Sequence, residues 1–177
     1  MPRATNKKRS IDDRIEFEYT GHERVPKDVT HVRFHSNVRE VTGYEYNDDD
    51  ELIDHGYAFL DCTELKEVVL NEGLRKIGKH AFRDCTSLKR IEFPSSLTEI
   101  GEYAFRDCES LERIELPPTL TNIGEYVFHW CSSLKEVVLH EGLTKIETGL
   151  FFACSFSSIR IPSTVMCIGT VAFGHCF

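Results

Sequence analysis

Seven cysteines are the residues of this chain best suited to chemistry, because thiols bind metals, form disulfides and act as nucleophiles. No C-x-x-C pair occurs in the sequence, and a zinc site requires ligands that converge on a tetrahedron. Six of the seven instead recur at nearly equal intervals, at Cys62, Cys85, Cys108, Cys131, Cys154 and Cys176. Residues spaced in this way form a column, so the sequence predicts neither a metal site nor a bound cofactor.

Neighbouring cysteines of such a column would lie about 5 Å apart, which is within the Cα range of a disulfide. Disulfides along the column therefore stay open as an alternative. We predict buried, reduced thiols, because free cysteine is among the most frequently buried residue types and disulfides are rare inside cells. Cys167 does not follow the regular interval, and we expect it to be an exposed thiol.

The eight histidines are scattered along the chain, and none belongs to a recognisable catalytic or metal-binding motif. G-x-S-x-G, P-loop, H-E-x-x-H and dinucleotide fingerprints are all missing from the sequence. Catalysis needs a nucleophile, a base and an orienting group that converge. The sequence therefore predicts a protein that is not an enzyme.

An acidic insertion at 42–56 suggests calcium binding, since it holds five carboxylates: Asp48, Asp49, Asp50, Glu51 and Asp54. An EF-hand loop, however, requires glycine at its sixth place, where Ile53 or His55 would stand. Two interpretations remain. The segment is either a flexible loop extended by its own charge, or a contact loop for a basic partner carried on a rigid scaffold.

The formal net charge of -8 disfavours nucleic acid as a partner, because that binding draws on clustered Lys and Arg. No run of about 18 apolar residues predicts a membrane helix. The basic residues of 1–10 precede no apolar stretch, so we expect a disordered tail, no signal peptide and an intracellular, cytoplasmic protein. Nuclear import through this cluster is the alternative.

Internal repetition decides the fold, because three closely similar segments begin at Leu65, Leu88 and Leu111, a step of 23 residues, and Leu134 begins another. Degenerate copies extend the array to 31–177 and bring the total to about six. Repeats of this length cannot bury an apolar face alone and must stack as a solenoid. Residues 11–30 precede the array, and the alternation of Ile15, Phe17 and Tyr19 with glutamates predicts a cap strand there.

Each copy combines a strand, a turn and a second inward-facing segment. In LKEVVL, Val68 and Leu70 share one face while Glu67 and Val69 share the other. Short helical or 3₁₀ turns are expected opposite the strands. A second inward column consists of Phe59, Phe82, Phe105, Phe128, Phe151 and Phe173. The sequence thus predicts an α/β solenoid whose core is a phenylalanine column beside the cysteine column.

The pattern L-x-x-I-x-L-P-x-x-L-x-x-I-G-x-x-A-F-x-x-C, seen from Leu88 to Cys108, resembles the BspA-type subclass of leucine-rich repeats. This resemblance implies a leucine-rich-repeat fold with short parallel strands on a concave face. It also implies protein binding or adhesion. We expect a non-enzymatic scaffold for an unidentified protein partner first, and an exported adhesion module that binds matrix or host protein second, with an enzyme a distant third.

The outward strand face is the predicted partner-binding surface, since a solenoid presents a row of residues from successive copies. Copies three and four place arginine beside glutamate at its centre, and valines flank them. The predicted binding residues are Glu67, Val69, Arg90, Glu92, Arg113, Glu115, Glu136 and Val138. The alternative is that these charges only neutralise one another across strands, each pair contributing under about 1 kcal/mol.

The last copy lacks a polar cap in the sequence, and solenoid ends normally need one. We therefore expect Phe173, Phe177 and a strand around Ile159–Ile161 to form an exposed apolar end. Such an end would be covered by further repeats of a longer array or by a second copy in an end-to-end homodimer.

Overall fold

Short strands repeated once per coil build the molecule. The computed structural model describes residues 7–9, 14–21, 23–42, 45–46, 52–53 and 58–176. The strands of the first coils are β1 (Lys7–Arg9), β2 (Ile15–Tyr19), β3 (His31–Phe34), β4 (Glu40–Val41), β5 (Glu45–Tyr46), β6 (Leu52–Ile53), β7 (Glu67–Val69) and β8 (Lys76–Ile77). The later strands are β9 (Arg90–Ile91), β10 (Glu99–Ile100), β11 (Arg113–Glu115), β12 (Asn122–Ile123), β13 (Glu136–Val138), β14 (Lys145–Ile146) and β15 (Cys167–Ile168).

The largest sheet has seven strands in the order β1, β2, β3, β7, β9, β11, β13. From β2 onward every neighbour pairs in parallel, which is the arrangement expected when each coil brings the chain back to the same side. A second sheet of four strands, in the order β12, β10, β8, β4, takes one strand from each of four coils. The pair β14 and β15 forms a separate two-stranded sheet, and β5 and β6 form a hairpin.

The predicted phenylalanine column forms the core. Consecutive rings from Phe59 to Phe173 lie between 4.6 and 5.9 Å apart and are parallel to within 18°. Leucine and isoleucine columns surround them, and Leu65, Leu88, Leu111 and Leu134 are fully buried. Aromatic stacking of this kind contributes beyond the area it removes from water, so it stabilises each coil on the one before.

The cysteine column lies beside the phenylalanines with every thiol free. Each thiol from the second coil onward donates a hydrogen bond to the carbonyl oxygen of the phenylalanine one coil earlier. Cys108 Sγ, for example, lies 3.2 Å from the oxygen of Phe82, and the same contact recurs at Cys85, Cys131, Cys154 and Cys176. The carbonyl oxygen of Phe82 also accepts a hydrogen bond from the backbone N–H of Cys85, so both lone pairs of that oxygen are used.

The turns opposite the large sheet are not helical, and the prediction of short helical or 3₁₀ turns is wrong for the described residues. Two residues in each turn from the second coil onward adopt positive φ: His80 and Asp84 have φ of 56° and 60°, and Tyr103 and Asp107 repeat these values. A helix requires φ near −60°. Two left-handed residues four positions apart therefore exclude a helical turn between them.

Hydrogen bonds between coils replace those that a helix would have made. The amide of Asp84 donates to the carbonyl of Arg106 at 2.9 Å, and the amide of Phe82 donates to Ala104 at 2.8 Å. Asp107 and Trp130 repeat the first of these bonds toward the following coil. Backbone hydrogen bonds thus join successive coils on the turn side as they do on the sheet side. Among the described residues, no helix is long and apolar enough to cross a membrane.

The sixth copy differs from its prediction, because no strand occurs at Ile159–Ile161 and the large sheet ends at β13. The connection from Cys154 to Phe156 is one residue shorter than that from Cys131 to Leu134. The amide N–H of Ser155 donates a hydrogen bond to the carbonyl of Leu134, so the chain enters the last coil in a register that does not continue the large sheet. This coil keeps only β15 in register.

The ends of the chain are partly described. Lys7–Arg9 form β1 and pair antiparallel with β2, contrary to the predicted disordered tail over 1–10, because the free edge of β2 offers backbone partners to this segment. The rest of that tail lies outside the described residues. β2 pairs with β3 in parallel and buries Phe17 and Tyr19, and most of the acidic insertion 42–56 also lies outside the described residues.

Candidate functional site

A row of charged side chains crosses the outer face of the large sheet. Parallel pairing places Glu67 beside Arg90, Arg90 beside Arg113, and Arg113 beside Glu136. The alternate residues of these strands face the interior, and Ile91 and Ile114 are buried. Register alone therefore aligns charges in the order negative, positive, positive, negative along the solenoid.

A second row runs beside the first and has apolar ends. Val69 and Val138 are 44% and 36% exposed, whereas Glu92 and Glu115 between them are exposed carboxylates. Glu115 pairs with Val138 in the sheet, while Glu92 follows the end of β9 at Ile91. The eight predicted site residues thus lie together on one face, and we name them the charged strip.

The two arginines of the charged strip differ in their partners. Arg113 pairs with Glu136 on the next strand and lies 3.0 Å from a carboxylate oxygen of Glu115. Arg90 makes no ion pair with any residue that the structure describes. An exposed pair contributes only about 0–1 kcal/mol. Arg90 therefore presents an unpaired guanidinium on this face, a group that suits an incoming carboxylate.

A shallow groove of about 820 Å³ lies over the centre of the charged strip. Its lining includes residues that the sequence prediction missed, namely Lys89, Phe93, Glu112, Leu116, Pro117 and Lys135. Pro117, which is buried, and Pro118, which is exposed, carry a signal that would have identified one wall, because two prolines fix the chain just after β11 ends. The groove combines an apolar wall with charged rims.

His31 precedes Glu67 in the same row of the sheet, and its ring is partly buried. Burial lowers the pKa of His31, and its Nδ1 lies 2.7 Å from Thr30 Oγ1. Its Nε2 lies 3.8 Å from Glu67. A histidine whose pKa is lowered stays neutral at pH 7, so Glu67 keeps its negative charge unopposed from that side.

The cysteines, which the sequence singled out for their reactivity, are placed away from this face and are chemically quiet. Burial raises the pKa of Cys62 to about 11 and that of Cys108 well above its ordinary value. Thiols are nucleophilic only as thiolates. Among the described residues, no three His, Cys, Asp or Glu side chains converge as a metal site would require. Cys167 is exposed, as predicted.

Known proteins share this fold. The BspA type leucine rich repeat region matches residues 55–177 in six copies. A leucine rich cell surface protein from Faecalibacterium prausnitzii is 26% identical with a TM-score of 0.69, and the alignment covers 97% of this chain and 50% of that protein. The chain therefore spans about half the length of that relative. The T. pallidum leucine rich repeat protein is 27% identical with a TM-score of 0.63, covering 94% and 79%.

A comparison with curated proteins finds no match. The coil-to-coil register, the phenylalanine and cysteine columns and the repeat match agree over most of the chain. On these grounds the chain belongs to the BspA-type leucine-rich-repeat family.

Proposed function

We propose that this chain is a non-enzymatic protein-binding scaffold, and that the charged strip is the surface that binds its partner. The observation that carries the proposal is Arg90, an exposed arginine without an ion pair among the described residues, at the centre of a groove. Arginine anchors are over-represented among residues that dominate binding energy. The partner surface would carry a carboxylate opposite Arg90 and apolar side chains opposite Val69 and Val138.

The rigidity of the stack also supports this proposal. The strip residues project from strands whose other faces are buried, so a partner would meet preorganised side chains. Preorganisation lowers the entropy cost of binding. The two kinds of residue would contribute differently to binding. Val69 and Val138 would bury apolar area, and Arg90 would fix the orientation of the partner.

Site-specific photo-crosslinking tests the proposal. A photoreactive phenylalanine analogue at Val138, which lies beside Glu115 on the edge strand β13, should capture the partner in the native cell. The same analogue at Arg75, an exposed residue outside the strip, is the matched control. The captured protein is then purified and its affinity measured for Arg90→Glu and for wild type.

We expect Arg90→Glu to weaken binding by at least about tenfold, a change of about 1.4 kcal/mol, because it replaces an attraction by a repulsion. The variant should keep the urea midpoint of wild type, since Arg90 is exposed. Equal capture from position 75, or an unchanged affinity of the purified partner for Arg90→Glu, would assign binding to another surface.

A second candidate function is adhesion outside the cell, in which the same face binds a matrix or host protein. The similar F. prausnitzii structure, described as a leucine rich cell surface protein, favours this candidate. The two candidates differ in compartment, with the scaffold proposed for the cytoplasm. Fractionation with antibodies against the chain distinguishes them: intact cells labelled at the surface would support adhesion, and label only after lysis would support the scaffold.

A further inference from the structure

In the last three coils the turn surface is free of charged side chains at the six positions that end with the column cysteine, unlike the coils before them. Residues 126–131, 149–154 and 171–176 contain no Asp, Glu, Lys or Arg, and Glu125 lies just before the first of these segments. The matching positions 80–85 and 103–108 contain both signs, including the ion pairs Arg83–Asp84 and Arg106–Asp107. In a chain of such regular repeats, this change defines a distinct surface on the side away from the charged strip.

Trp130 is the centre of this surface and the only tryptophan of the chain. It stands at the position that Asp107 occupies one coil earlier and Asp84 two coils earlier, with the same φ of 60°. Its amide donates to the carbonyl of Phe152 at 2.9 Å, as the amide of Asp107 donates to His129. The backbone is therefore unchanged, and a 49% exposed indole replaces a carboxylate.

Four aromatic rings meet here and form what we name the aromatic trough: His129, Trp130, Phe152 and His175. The inner pair, His129 and Phe152, stacks at 4.9 Å with an angle of 10°. The outer rings are tilted, Trp130 by 52° from His129 and His175 by 58° from Phe152. Tilted outer rings around a parallel inner pair give the surface two walls and a floor.

Small residues leave room for these rings. A Cβ on Gly174 would lie 2.8 Å from Cδ2 of Phe152, so the Phe152 ring packs directly on the backbone there. Ala153 occupies the coil between Trp130 and His175 in the same column of positive-φ residues. Its methyl group leaves the space between the two walls open. Burial also lowers the pKa of His129, which keeps the floor of the trough uncharged at neutral pH.

We propose that the aromatic trough binds a proline-rich segment of a partner protein in the polyproline II conformation. Such a helix turns every three residues and rises about 9.3 Å per turn. The ring centroids from His129 through Phe152 to His175 advance by two steps of 4.9 and 5.0 Å. The outermost of these rings can therefore be separated by up to about one polyproline turn.

The chemistry of the trough fits this occupant. A polyproline II segment is uncharged, presents apolar rings and carries backbone carbonyls without internal hydrogen bonds. Indole and imidazole N–H groups are donors for those carbonyls. Aromatic-lined grooves exploit the low conformational entropy of this helix. The charge-free turns accommodate such a segment without burying an unpaired charge.

Trp130 supplies the assay, because its fluorescence reports on the trough alone. A synthetic decaproline peptide is titrated into the full chain while the Trp130 emission is followed, and affinity is confirmed by calorimetry. We expect a blue shift that saturates below about 1 mM peptide. Trp130→Asp restores the residue found at Asp84 and Asp107, so it should fold, and calorimetry should show at least tenfold weaker binding.

Glu125→Gln, an exposed change in the same coil, is the matched control and should bind as wild type does. Three results would overturn the proposal. These are no saturable response to decaproline, an affinity unchanged by Trp130→Asp, or a shift of Trp130 with cellohexaose and none with decaproline. The last result would assign the trough to a neutral carbohydrate.

Discussion

Truncation of the central ring of the phenylalanine column offers the sharpest test of the core. Phe105 is fully buried and stacks on Phe82 at 5.1 Å and on Phe128 at 5.6 Å. The ring of Phe93 also meets its edge at 5.6 Å. Phe105→Ala removes a ring with neighbours on both sides. We expect a loss of about 3–5 kcal/mol in the free energy of unfolding.

Phe173 supplies a matched comparison within the same column. It is only half-buried, stacks on Phe151 at 5.9 Å and touches Phe156 at 6.2 Å. Phe173→Ala should therefore cost about 1–2 kcal/mol, because less apolar area leaves water when this ring is buried. The difference between the two variants measures what a coil on either side contributes, since both remove the same atoms.

Urea unfolding followed by circular dichroism and by Trp130 emission measures both losses. At about 2–4 °C per kcal/mol, Phe105→Ala should also lower the melting temperature by about 6–20 °C. Trp130 lies one coil beyond Phe105, so its signal should shift together with the sheet signal if the stack unfolds as one unit. Equal losses for the two variants would refute a stacked column as the source of stability.

Four further outcomes follow from the structure. Arg90→Gln combined with Arg113→Gln should lower the free energy of unfolding by no more than about 1–2 kcal/mol, because both side chains are exposed and each of the two ion pairs of Arg113 contributes about 0–1 kcal/mol. Affinity for a captured partner should fall, and a larger loss of stability would contradict this. Ellman's reagent at pH 8 should label Cys167 quickly, the half-buried Cys176 more slowly, and the five buried column cysteines only after denaturation. Rapid labelling of a third thiol in the native protein would show that the column opens. Burial lowers the pKa of His80 to about 4. The unfolded chain therefore binds more protons than the folded chain between about pH 6.5 and 4, and the free energy of unfolding should fall as pH falls through this window. Urea titrations at each pH should show a weaker pH dependence for His80→Tyr, which introduces the residue found at Tyr103 and Tyr126. The last coil exposes four apolar side chains: Ile161, Met166, Ile168 and Val171, at 36%, 86%, 53% and 48%. Light scattering should therefore detect a dimer fraction that increases with protein concentration and that Ile168→Lys abolishes. A monomer at every concentration would contradict end-to-end association.

The sequence predicts the fold well because the interior is strictly periodic. Phe105 and Cys108 have equivalents at fixed offsets in each neighbouring copy, and stacking demands that such residues meet. The outward rows were also predictable, since a two-residue alternation assigns Arg113 to solvent once Ile114 is assigned to the core. The register then aligns Arg113 with Arg90.

Conformations that side-chain type does not determine were beyond the sequence. The turn GEYAFRDC contains good helix formers, yet Tyr103 and Asp107 adopt positive φ because bonds to the next coil outweigh local propensity. The missing strand at Ile159–Ile161 depends on a single deleted residue. Trp130 was overlooked although its signal was present, since an indole there replaces the aspartate found at Asp84 and Asp107.

The positive-φ columns also affect how the chain can change over time. A left-handed residue with a side chain costs roughly 1–2 kcal/mol, and less for Asp, whose short polar side chain tolerates this conformation. Aspartate, tryptophan, alanine and histidine accordingly share one conformation at positions 84, 130, 153 and 175. Because these residues contribute backbone bonds and not interior packing, each coil offers one position at which side chains can be exchanged while the core stays intact. The buried columns thus preserve the shape of the fold, while side chains at the positive-φ positions can change and alter one surface.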